Sequence, residues 1–557
     1  MTGDDHRAES GRATDQPALL AAAQAWLADD PDPQTRAELR AVLEALPGSA
    51  TDLADRFAAP LTFGTAGLRG PLRAGPNGMN LAVVRAAAAG LVGWLAVRGT
   101  PGPLVIGYDA RRGSRAFAQE TARVATGAGR AALVLPEPLP TPVLAHAVRR
   151  LGAAAGVMVT ASHNPPGDNG YKVYLDDGAQ LAPPLDTEIE AAIRSAGALP
   201  AIPLGDTGSI VDTSVVRSYL AGAVAVVRPG GPRELVTAYT PMHGVGAATF
   251  TAALTGAGFA APFVVAEQAE PDPAFPTVSF PNPEEPGAMD LVLALAAARG
   301  ADLAIANDPD ADRCGVAVPT GAGDWRMLRG DEVGVLIADH LIRRGVGGTY
   351  AASLVSSSLL SRLCVARGVP YAETLTGFKW IARVDGLGYG YEEALGYCVA
   401  PAHVRDKDGI TAALLVCELA AQLKAEGRGL ADRLDALALE FGLHATDQLS
   451  VRVDALGEID AAMATIRRQP PHSLLGSPVT AVEDLLPAAD VLTVRAPGAR
   501  MVVRPSGTEP KLKAYLEVVV PVAGGDLDAA RRTATAGLGT LRAEAATALG
   551  LEPAVRP

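Results

Sequence analysis

Cysteine is scarce in this sequence, and its arrangement excludes several kinds of site. The 557 residues include four cysteines, no two of which form a C-x-x-C pair. That spacing argues against a thiolate metal site and is typical of a reducing, cytoplasmic compartment. Long apolar runs are missing too: 86–97, the longest, is shorter than the roughly 18 residues that a membrane-spanning helix needs. The polar N-terminal residues contain no apolar segment of the kind found in secretory signals, so none is expected.

Positive charge is also in short supply. The chain has 48 lysine and arginine residues against 61 aspartate and glutamate residues, which gives a net charge of −13. This balance argues against a nucleic-acid partner and against an anionic membrane surface, since neither would be attracted to an acidic protein. An anionic substrate would therefore need a local positive pocket.

Lysine is the scarcest charged residue, with six lysines among the 48 basic residues. Five of the six lie in four short loop-like stretches: Lys172, Lys379, Lys407, Lys511 and Lys513. A chain that otherwise uses arginine keeps lysine where a compact ammonium group of tunable pKa is needed. These stretches are therefore the first place to look for chemistry.

The length predicts several domains rather than one core. Three segments, beginning at Pro103, Glu234 and Thr349, each show an apolar β-rich run, a Gly/Ser-containing loop, an Ala-rich helix and a second apolar run. Each pattern predicts a strand, a crossover helix and a parallel strand. We therefore expect three consecutive α/β domains with mixed, largely parallel sheets, followed by a smaller C-terminal α+β domain. The predicted ranges are a disordered leader 1–16, domains 17–205, 206–322, 323–445 and 446–551, and a tail 552–557.

The first candidate loop is TASHNPPGDNGYKVY, residues 160–174, which follows the strand-like run AAAGVMVTA. Sites in parallel α/β sheets lie just past the C-terminal ends of the strands. A Pro/Gly turn with a capping serine would explain Ser162 alone. The presence of His163, Asn164 and Lys172 beside it favours a phosphate-handling nucleophile.

The second loop, ANDPDADRCG, carries the alternating carboxylates Asp308, Asp310 and Asp312. In an extended loop, three such carboxylates can converge on one hard cation. A calcium-binding EF-hand would need glycine at position six and glutamate at position twelve, where this chain has Arg313 and Pro319. The alternative is a solvated acidic turn, but the loop lies between two apolar runs. The pattern therefore predicts a Mg²⁺ site, with Arg313 holding an anion beside it.

The third loop, RPSGTEPKLKAY, is rich in phosphate donors. A hairpin turn would explain its proline and glycine but not its cations and hydroxyls. The donors are Arg504, Ser506, the backbone around Gly507, Thr508 and Lys513.

Four further stretches are weak when taken singly, because each could be an ordinary surface segment. They are FGTAGLRGPL with Arg69, LTGFKW with Thr376 and Lys379, GYEEALGY with Glu392, and HVRDKDG with Lys407.

Together and in this chain order, TASHNP, DPDADR and RPSGTEP resemble the α-D-phosphohexomutase superfamily, which includes phosphoglucomutases and phosphomannomutases. The resemblance runs from about Phe63 to Tyr515. FGTAGLRG, DNGYKVY and YEEALGY are most similar to its long branch, which holds bacterial phosphoglucomutases and phosphopentomutase-type enzymes. The resemblance implies four domains around a central cleft, sugar phosphates as partners, and a monomer or weak homo-oligomer.

The implied reaction moves a phosphoryl group between O1 and O6 of a hexose phosphate, with glucose phosphates first and mannose phosphates next. Ser162 would be the phosphoserine and would join Asp308, Asp310 and Asp312 in holding Mg²⁺, with a sugar bisphosphate as activator. Lys407 would be the general acid/base, with a pKa lowered by a crowded cationic pocket. The remaining catalytic residues implied are Arg69, His163 and Lys172.

Substrate binding is implied for ten residues of the second, third and fourth domains. They are Arg313, Thr376, Gly377, Lys379, Glu392, Arg504, Ser506, Gly507, Thr508 and Lys513.

The resemblance implies that GYEEALGY, residues 390–397, contacts the sugar, and we call this segment the sugar loop. It departs from the family pattern, because Ala394 stands where many relatives have serine. This leaves the sugar open and keeps a phosphopentomutase reaction on ribose or deoxyribose phosphates as the alternative. Two other classes stay open as well. A phosphoserine phosphatase would need a site open to water, whereas domains closing on a cleft exclude it. A silent sugar-phosphate-binding relative would lack the nucleophile, the carboxylates or the lysine.

Overall fold

The computed structural model describes residues 16–62, 67–321, 323–452, 456–506 and 511–550. The predicted leader, apart from Gln16, and the predicted tail lie outside these ranges. Within them, each helix is too short or too polar to cross a membrane.

The N-terminal part of the chain forms a six-stranded sheet flanked by helices. Its strands are β1 (Leu68–Pro71), β2 (Leu104–Tyr108), β3 (Ala132–Val134), β4 (Ala155–Val159), β5 (Asp168–Leu175) and β6 (Ser209–Ile210). Its helices are α1 (Gln16–Asp29), α2 (Pro33–Glu44), α3 (Ala50–Arg56), α4 (Leu81–Val97), α5 (Ser114–Gly127), α6 (Thr141–Arg150) and α7 (Leu185–Arg194). The order is β1-β5-β4-β2-β3-β6, with parallel pairing in the centre and β5 antiparallel to β4. Strands β2 and β4 are buried along their whole length, as expected when helices cover both faces of a sheet.

The second domain repeats this design with a five-stranded sheet. Its strands are β7 (Thr237–Thr240), β8 (Phe263–Val264), β9 (Leu303–Ala306), β10 (Gly315–Gly321) and β11 (Asp324–Met327). Its helices are α8 (Ser214–Val224), α9 (Gly246–Gly256) and α10 (Asp290–Arg299). The order is β11-β10-β9-β7-β8, with β7 parallel to both of its neighbours. The loop that holds Asp308 therefore leaves the C-terminal end of a buried strand, β9.

The third domain has a four-stranded sheet, ordered β13-β12-β14-β15. Its strands are β12 (Thr349–Ser353), β13 (Tyr371–Thr374), β14 (Leu387–Glu392) and β15 (Gly396–Cys398). Its helices are α11 (Gly330–Arg343), α12 (Leu359–Arg367), α13 (Phe378–Ile381), α14 (Gly409–Ala425) and α15 (Leu430–Phe441). Helix α14 begins where the Asp408 carboxylate accepts hydrogen bonds from the N–H groups of Ile410 and Thr411, both at 3.1 Å. This N-cap fixes the backbone next to Lys407.

The fourth domain is an antiparallel sheet ordered β16-β22-β21-β20-β19, covered by helices. Its strands are β16 (Leu443–Arg452), β17 (Ser473–Leu474), β18 (Ser477–Pro478), β19 (Ala481–Asp484), β20 (Leu492–Ala496), β21 (Ala499–Pro505) and β22 (Lys511–Val520), with helices α16 (Leu456–Arg468) and α17 (Leu527–Ala548). Strands β17 and β18 pair separately as a short hairpin.

The predicted fold class is confirmed. Each of the three strand–helix–strand segments gives a parallel pair, β2 with β3, β7 with β8 and β12 with β13, and the last domain is α+β. The domain boundaries remain predictions. Strand β6 lies beyond the first predicted boundary at residue 205 and still pairs with β3 of the first sheet.

One apolar cluster holds the first three domains together. It includes Val143 of α6, Phe250 of α9, Val335 of α11 and Leu414 of α14, all buried. Because side chains of three domains share this core, their loops are held in a defined relation to one another.

Removing Phe250 should weaken this shared core. Its ring is fully buried, with its centroid 4.3 Å from that of Tyr239. We expect Phe250→Ala to lower the free energy of unfolding by about 3–5 kcal/mol, measured by urea denaturation. Phe280→Ala is the matched control, since that ring is 38% exposed, and it should change stability by no more than about 0.5 kcal/mol. Equal losses from the two variants would show that α9 does not anchor the cluster.

Candidate active site

Ser162 lies three residues after β4, at the C-terminal edge of the first sheet. Its backbone has φ 51°, a left-handed conformation that residues other than glycine seldom adopt. The turn is held by the Ser162 N–H, which donates to Thr160 Oγ1 at 2.8 Å. The Ser162 Oγ donates to Asp308 Oδ2 of the second domain at 2.7 Å. The turn therefore aims a buried hydroxyl across the interface between two domains.

Arg111 holds this turn through hydrogen bonds to its backbone. Sequence reasoning did not identify Arg111. Its guanidinium donates to the carbonyl oxygens of Ser162 at 2.6 Å, Asn164 at 2.5 Å and Pro165 at 2.8 Å. One buried side chain thus satisfies three backbone acceptors of the serine turn. A signal was available: Arg111 follows β2, whose C-terminal end lies beside that of the parallel strand β4.

The three aspartates of the second loop converge as predicted. One carboxylate oxygen from each of Asp308, Asp310 and Asp312 lies within 4.8 Å of the others, and all three side chains are buried. Thr141 fixes the middle carboxylate, because its Oγ1 donates to Asp310 Oδ2 at 2.6 Å and its N–H donates to the Asp310 carbonyl at 2.9 Å. Thr141 was also missed. It belongs to α6, far from the loop in sequence, and nothing in its own surroundings marked it.

The carboxylates fit a hard divalent cation. Asp310 Oδ1 and Asp312 Oδ1 are buried without a hydrogen-bond partner among the described residues. Buried oxygens of this kind normally have a partner, and an all-oxygen donor set selects Mg²⁺ or a similar ion. Burial and the negative charges of Asp310 and Asp312 raise the pKa of Asp308 well above its usual range. A bound cation would give the unpartnered oxygens a ligand and would offset the repulsion that raises the pKa of Asp308.

Two lysines neutralise part of this negative charge. Lys172 Nζ lies 2.7 Å from Asp310 Oδ2 and 3.0 Å from Asp312 Oδ2. Lys407 Nζ lies 3.3 Å from Asp312 Oδ2 and 3.6 Å from Asp406 Oδ1. The Lys172 ammonium thereby joins the first domain to the second, and the Lys407 ammonium joins the third to the second.

The expectation that a cationic pocket lowers the pKa of Lys407 is wrong. Burial does act in that direction, but the carboxylates of Asp312, Asp406 and Glu392 outweigh it and raise the pKa of Lys407 above its ordinary value. The composition of the loops showed many cations near Lys407. It could not show that this ammonium lies between carboxylates.

Arg69 and His163 both contact residues of the serine turn. Arg69 Nη1 donates to Asn164 Oδ1 at 2.9 Å, and burial together with nearby Arg313 lowers the pKa of Arg69 to about 10, so it remains charged at neutral pH. His163 Nδ1 lies 3.3 Å from Ser162 Oγ. Burial and the charge of Arg313 lower the pKa of His163 well below its ordinary value, so its ring is neutral.

Arg313 and the sugar loop of the third domain meet at the same place. Arg313 Nε lies 4.0 Å from both Asp308 Oδ2 and Asp312 Oδ1, and its backbone forms an antiparallel bridge to Gly396. A Cβ atom on Gly396 would lie 2.3 Å from Lys407 Cδ, so a side chain there would displace the lysine. Glu392 lies close by and is buried, which raises its pKa.

The remaining predicted substrate residues form two separate groups. In the third domain, Thr376, Gly377 and Lys379 lie at the start of α13, where burial lowers the pKa of Lys379. In the fourth domain, Arg504 Nη1 lies 3.4 Å from the Tyr515 hydroxyl, and Lys513 Nζ lies 6.0 Å from the centroid of the same ring. Ser506 N–H donates to the Lys511 carbonyl at 2.7 Å. Gly507 and Thr508 lie outside the described residues.

Fold and site together place a serine hydroxyl, three carboxylates and several cations where three α/β domains meet. The chain matches all four domains of the phosphoglucomutase/phosphomannomutase family: α/β/α domains I, II and III over residues 60–199, 218–321 and 329–440, and the C-terminal domain over 459–533. It therefore belongs to this family of mutase enzymes, within the α-D-phosphohexomutase superfamily.

Three curated relatives span most of the chain. A probable phosphomannomutase of Haemophilus influenzae is 44% identical over 451 residues, which cover 79% of this chain and 93% of that protein. A phosphopentomutase of Mus musculus is 32% identical and covers 90% of each chain. A phosphoglucomutase of Staphylococcus aureus is also 32% identical and covers 84% of this chain and 91% of its own.

Removing one triad carboxylate should weaken cation binding directly. We expect Asp310→Asn to raise the dissociation constant for Mg²⁺, or for Mn²⁺ as its spectroscopic substitute, at least tenfold by titration calorimetry. The reason is that Asp310 supplies a buried oxygen, Oδ1, that has no hydrogen-bond partner in the part of the chain that the structure describes. Asp324→Asn on exposed β11 is the control and should bind as the wild type does. Unchanged affinity in Asp310→Asn would exclude the triad as the cation site.

Proposed function

We propose that this protein is a phosphohexose mutase that moves a phosphoryl group between O1 and O6 of a hexose phosphate. Glucose 1-phosphate and glucose 6-phosphate are the leading pair, with mannose phosphates as further substrates. The observation that carries the proposal is the hydrogen bond from the Ser162 hydroxyl to Asp308, inside a triad bordered by Lys172 and Lys407. A serine so placed is suited to carry a phosphoryl group, because phosphoryl transfer depends on positioning and on neutralising charge.

The reaction has two halves that mirror each other. In the first, the bond between Ser162 Oγ and phosphorus breaks while the free sugar hydroxyl forms its own bond to phosphorus, which gives an enzyme-bound bisphosphate. After the bisphosphate turns round, its other phosphoryl group returns to Ser162. Each half moves one proton between the sugar oxygen and Ser162 Oγ. A free sugar bisphosphate would act as the activator by phosphorylating Ser162.

The side chains around Ser162 divide these tasks. Lys407 enters the cycle as the acid, since its ion pairs keep it protonated. Arg69 and Arg313 provide fixed positive charge near the transferring group, and His163 contacts the serine oxygen as a neutral ring. Asp308, Asp310, Asp312 and Ser162 would hold Mg²⁺, which supplies charge neutralisation to phosphoryl transfer.

Substrate contacts come from the later domains in this proposal. Glu392 takes sugar hydroxyls, and the groups around Thr376, Lys379, Arg504 and Lys513 bind the sugar phosphate.

The second candidate is a phosphopentomutase, favoured by Ala394 in the sugar loop and by the mouse relative. A phosphatase is disfavoured because Ser162 is only 2% exposed, which leaves little access for water.

Loss of the Ser162 hydroxyl should abolish turnover. We expect Ser162→Ala to lose at least a thousandfold in kcat while remaining folded by circular dichroism, because it removes the nucleophile and only one hydrogen bond, to Asp308. Intact-mass spectrometry after incubation with glucose 1,6-bisphosphate should show one added phosphate on the wild type and none on the variant. Ser195→Ala, at an exposed helix end, is the control and should accept phosphate normally. Substantial turnover by Ser162→Ala would disprove the phosphoenzyme route.

The sugar is tested by comparing kcat/KM for glucose, mannose and ribose 1-phosphates. We expect glucose 1-phosphate to give the highest kcat/KM. Mannose and ribose 1-phosphates should also be converted measurably, because Ala394 offers no hydroxyl with which to discriminate between sugar rings. Ala394→Ser should raise the hexose-to-pentose ratio by about ten- to a hundredfold, as a regained polar contact is worth ~1–3 kcal/mol. A wild-type preference for ribose 1-phosphate of tenfold or more would reverse the ranking and favour the phosphopentomutase.

A further inference from the structure

A loop of the third domain contacts both the sugar loop and the fourth domain. This segment, SLVSSS at residues 353–358, leaves the C-terminal end of β12 and leads into α12; we call it the serine loop. Ser353 Oγ donates to Glu393 Oε2 at 2.9 Å, and Ser356 Oγ lies 3.5 Å from the same oxygen. Glu393 adjoins Glu392, which is assigned to the sugar. The serine loop therefore holds the sugar loop in place through Glu393.

The other side of the serine loop is clamped by an ion pair of the fourth domain. Glu517 Oε1 accepts hydrogen bonds from Ser357 Oγ and from the Ser358 N–H, both at 2.8 Å. Arg500 donates to the carbonyl of Leu354 at 3.2 Å and to that of Ser356. Arg500 Nε and Glu517 Oε2 lie 3.2 Å apart, and both side chains are buried. An ion pair with this many hydrogen bonds fixes geometry as well as charge.

The Arg500–Glu517 ion pair is the first of three cross-strand residue pairs on β21 and β22. The third pair consists of Arg504 and Lys513, the cations assigned to phosphate binding. On β21 and β22, Arg500 lies opposite Glu517, Val502 opposite Tyr515, and Arg504 opposite Lys513. Alternate residues of a strand share one face, so these three pairs face the same way.

The second pair, Val502 and Tyr515, packs on the serine loop. Val502 and Tyr515 share a small buried cluster with Leu354 and Val355. Arg504 and the ammonium of Lys513 both lie next to the Tyr515 ring. The cations are thus held about 13 Å, or four residues of strand, from the Arg500–Glu517 pair.

We propose that Arg500 and Glu517 are positioning residues that, through the serine loop, set the distance between the sugar loop and the cations Arg504 and Lys513. This inference rests on the proposed function, because it assigns those two groups to the sugar and the distal phosphate of one substrate. Hexose and pentose phosphates differ in ring size, and therefore in where the ring hydroxyls lie relative to the phosphate. The spacing set by the ion pair consequently contributes to the choice between them.

The test compares three arginine variants of the fourth domain. Arg500→Met removes the charge and the two carbonyl contacts, and Arg500→Lys keeps the charge but loses the planar fork. Arg495→Met is the matched control, because Arg495 pairs with Glu483 at 3.6 Å on an exposed part of the same sheet. Binding of glucose 6-phosphate is measured by calorimetry in full-length protein that also carries Ser162→Ala. The kcat and KM values for glucose 1-phosphate and ribose 1-phosphate are measured with Ser162 intact.

We expect Arg500→Met to raise the dissociation constant and the KM at least tenfold while kcat falls less than threefold. The glucose-to-ribose ratio of kcat/KM should shift at least fivefold, with Arg500→Lys intermediate and Arg495→Met within twofold of wild type. A purely structural role would lower both substrates' activities equally and leave this ratio unchanged. An unchanged ratio and affinity in Arg500→Met, or an equal effect from Arg495→Met, would overturn the proposal.

Three further outcomes are distinguishable. If Arg500→Met does not fold by circular dichroism, Arg500→Lys and Ser357→Ala decide the question by the same ratio and affinity. If the wild type binds glucose 6-phosphate but does not convert it, the proposed mutase function fails while the binding measurement still tests the positioning role. If the wild type does not bind glucose 6-phosphate at all, the positioning proposal fails too.

Discussion

Mutual repulsion among three buried carboxylates is the constraint around which this molecule is arranged. One carboxylate oxygen from each of Asp308, Asp310 and Asp312 lies within 4.8 Å of the others, and all three side chains are buried, an arrangement that is unfavourable unless positive charge surrounds it. That charge comes from different domains: Lys172 from the first and Lys407 from the third. Docking of the first and third domains therefore brings the positive charge that offsets this repulsion.

The apolar core supports the same arrangement by other means. The cluster shared by α6, α9, α11 and α14 fixes the first three domains, so that the short ion-pair distances at the site need little further ordering. The fourth domain is different. It contacts the third domain at the serine loop through Arg500 and Glu517, and elsewhere through the ion pairs Arg531–Asp435 and Arg329–Asp447. The first three domains therefore share one large core, whereas the fourth domain is joined to the third by a smaller apolar cluster and by separate ion pairs.

Sequence reasoning recovered the features that are local in the chain. Strand–helix–strand periodicity predicted the three parallel pairs, and the spacing of Asp308, Asp310 and Asp312 predicted their convergence. It missed Arg111 and Thr141, which act on loops distant from them in sequence, because only the packed sheet edge brings them there. It also assigned the wrong direction to the pKa of Lys407. A list of nearby residue types does not tell which charges lie closest once the side chains are buried.

The scarcity of lysine has a consequence for the protein's surface chemistry. Lys172, Lys379 and Lys407 are buried, while Lys424 is 45% exposed and paired with Asp302 on the second domain. The outer surface is accordingly made positive almost wholly by guanidinium groups, which stay charged at any pH that the protein tolerates. Reagents that acylate amines would find few targets besides the amino terminus, Lys424 and the two lysines of β22. Attachment through amines would therefore hold nearly every molecule in one of a few orientations.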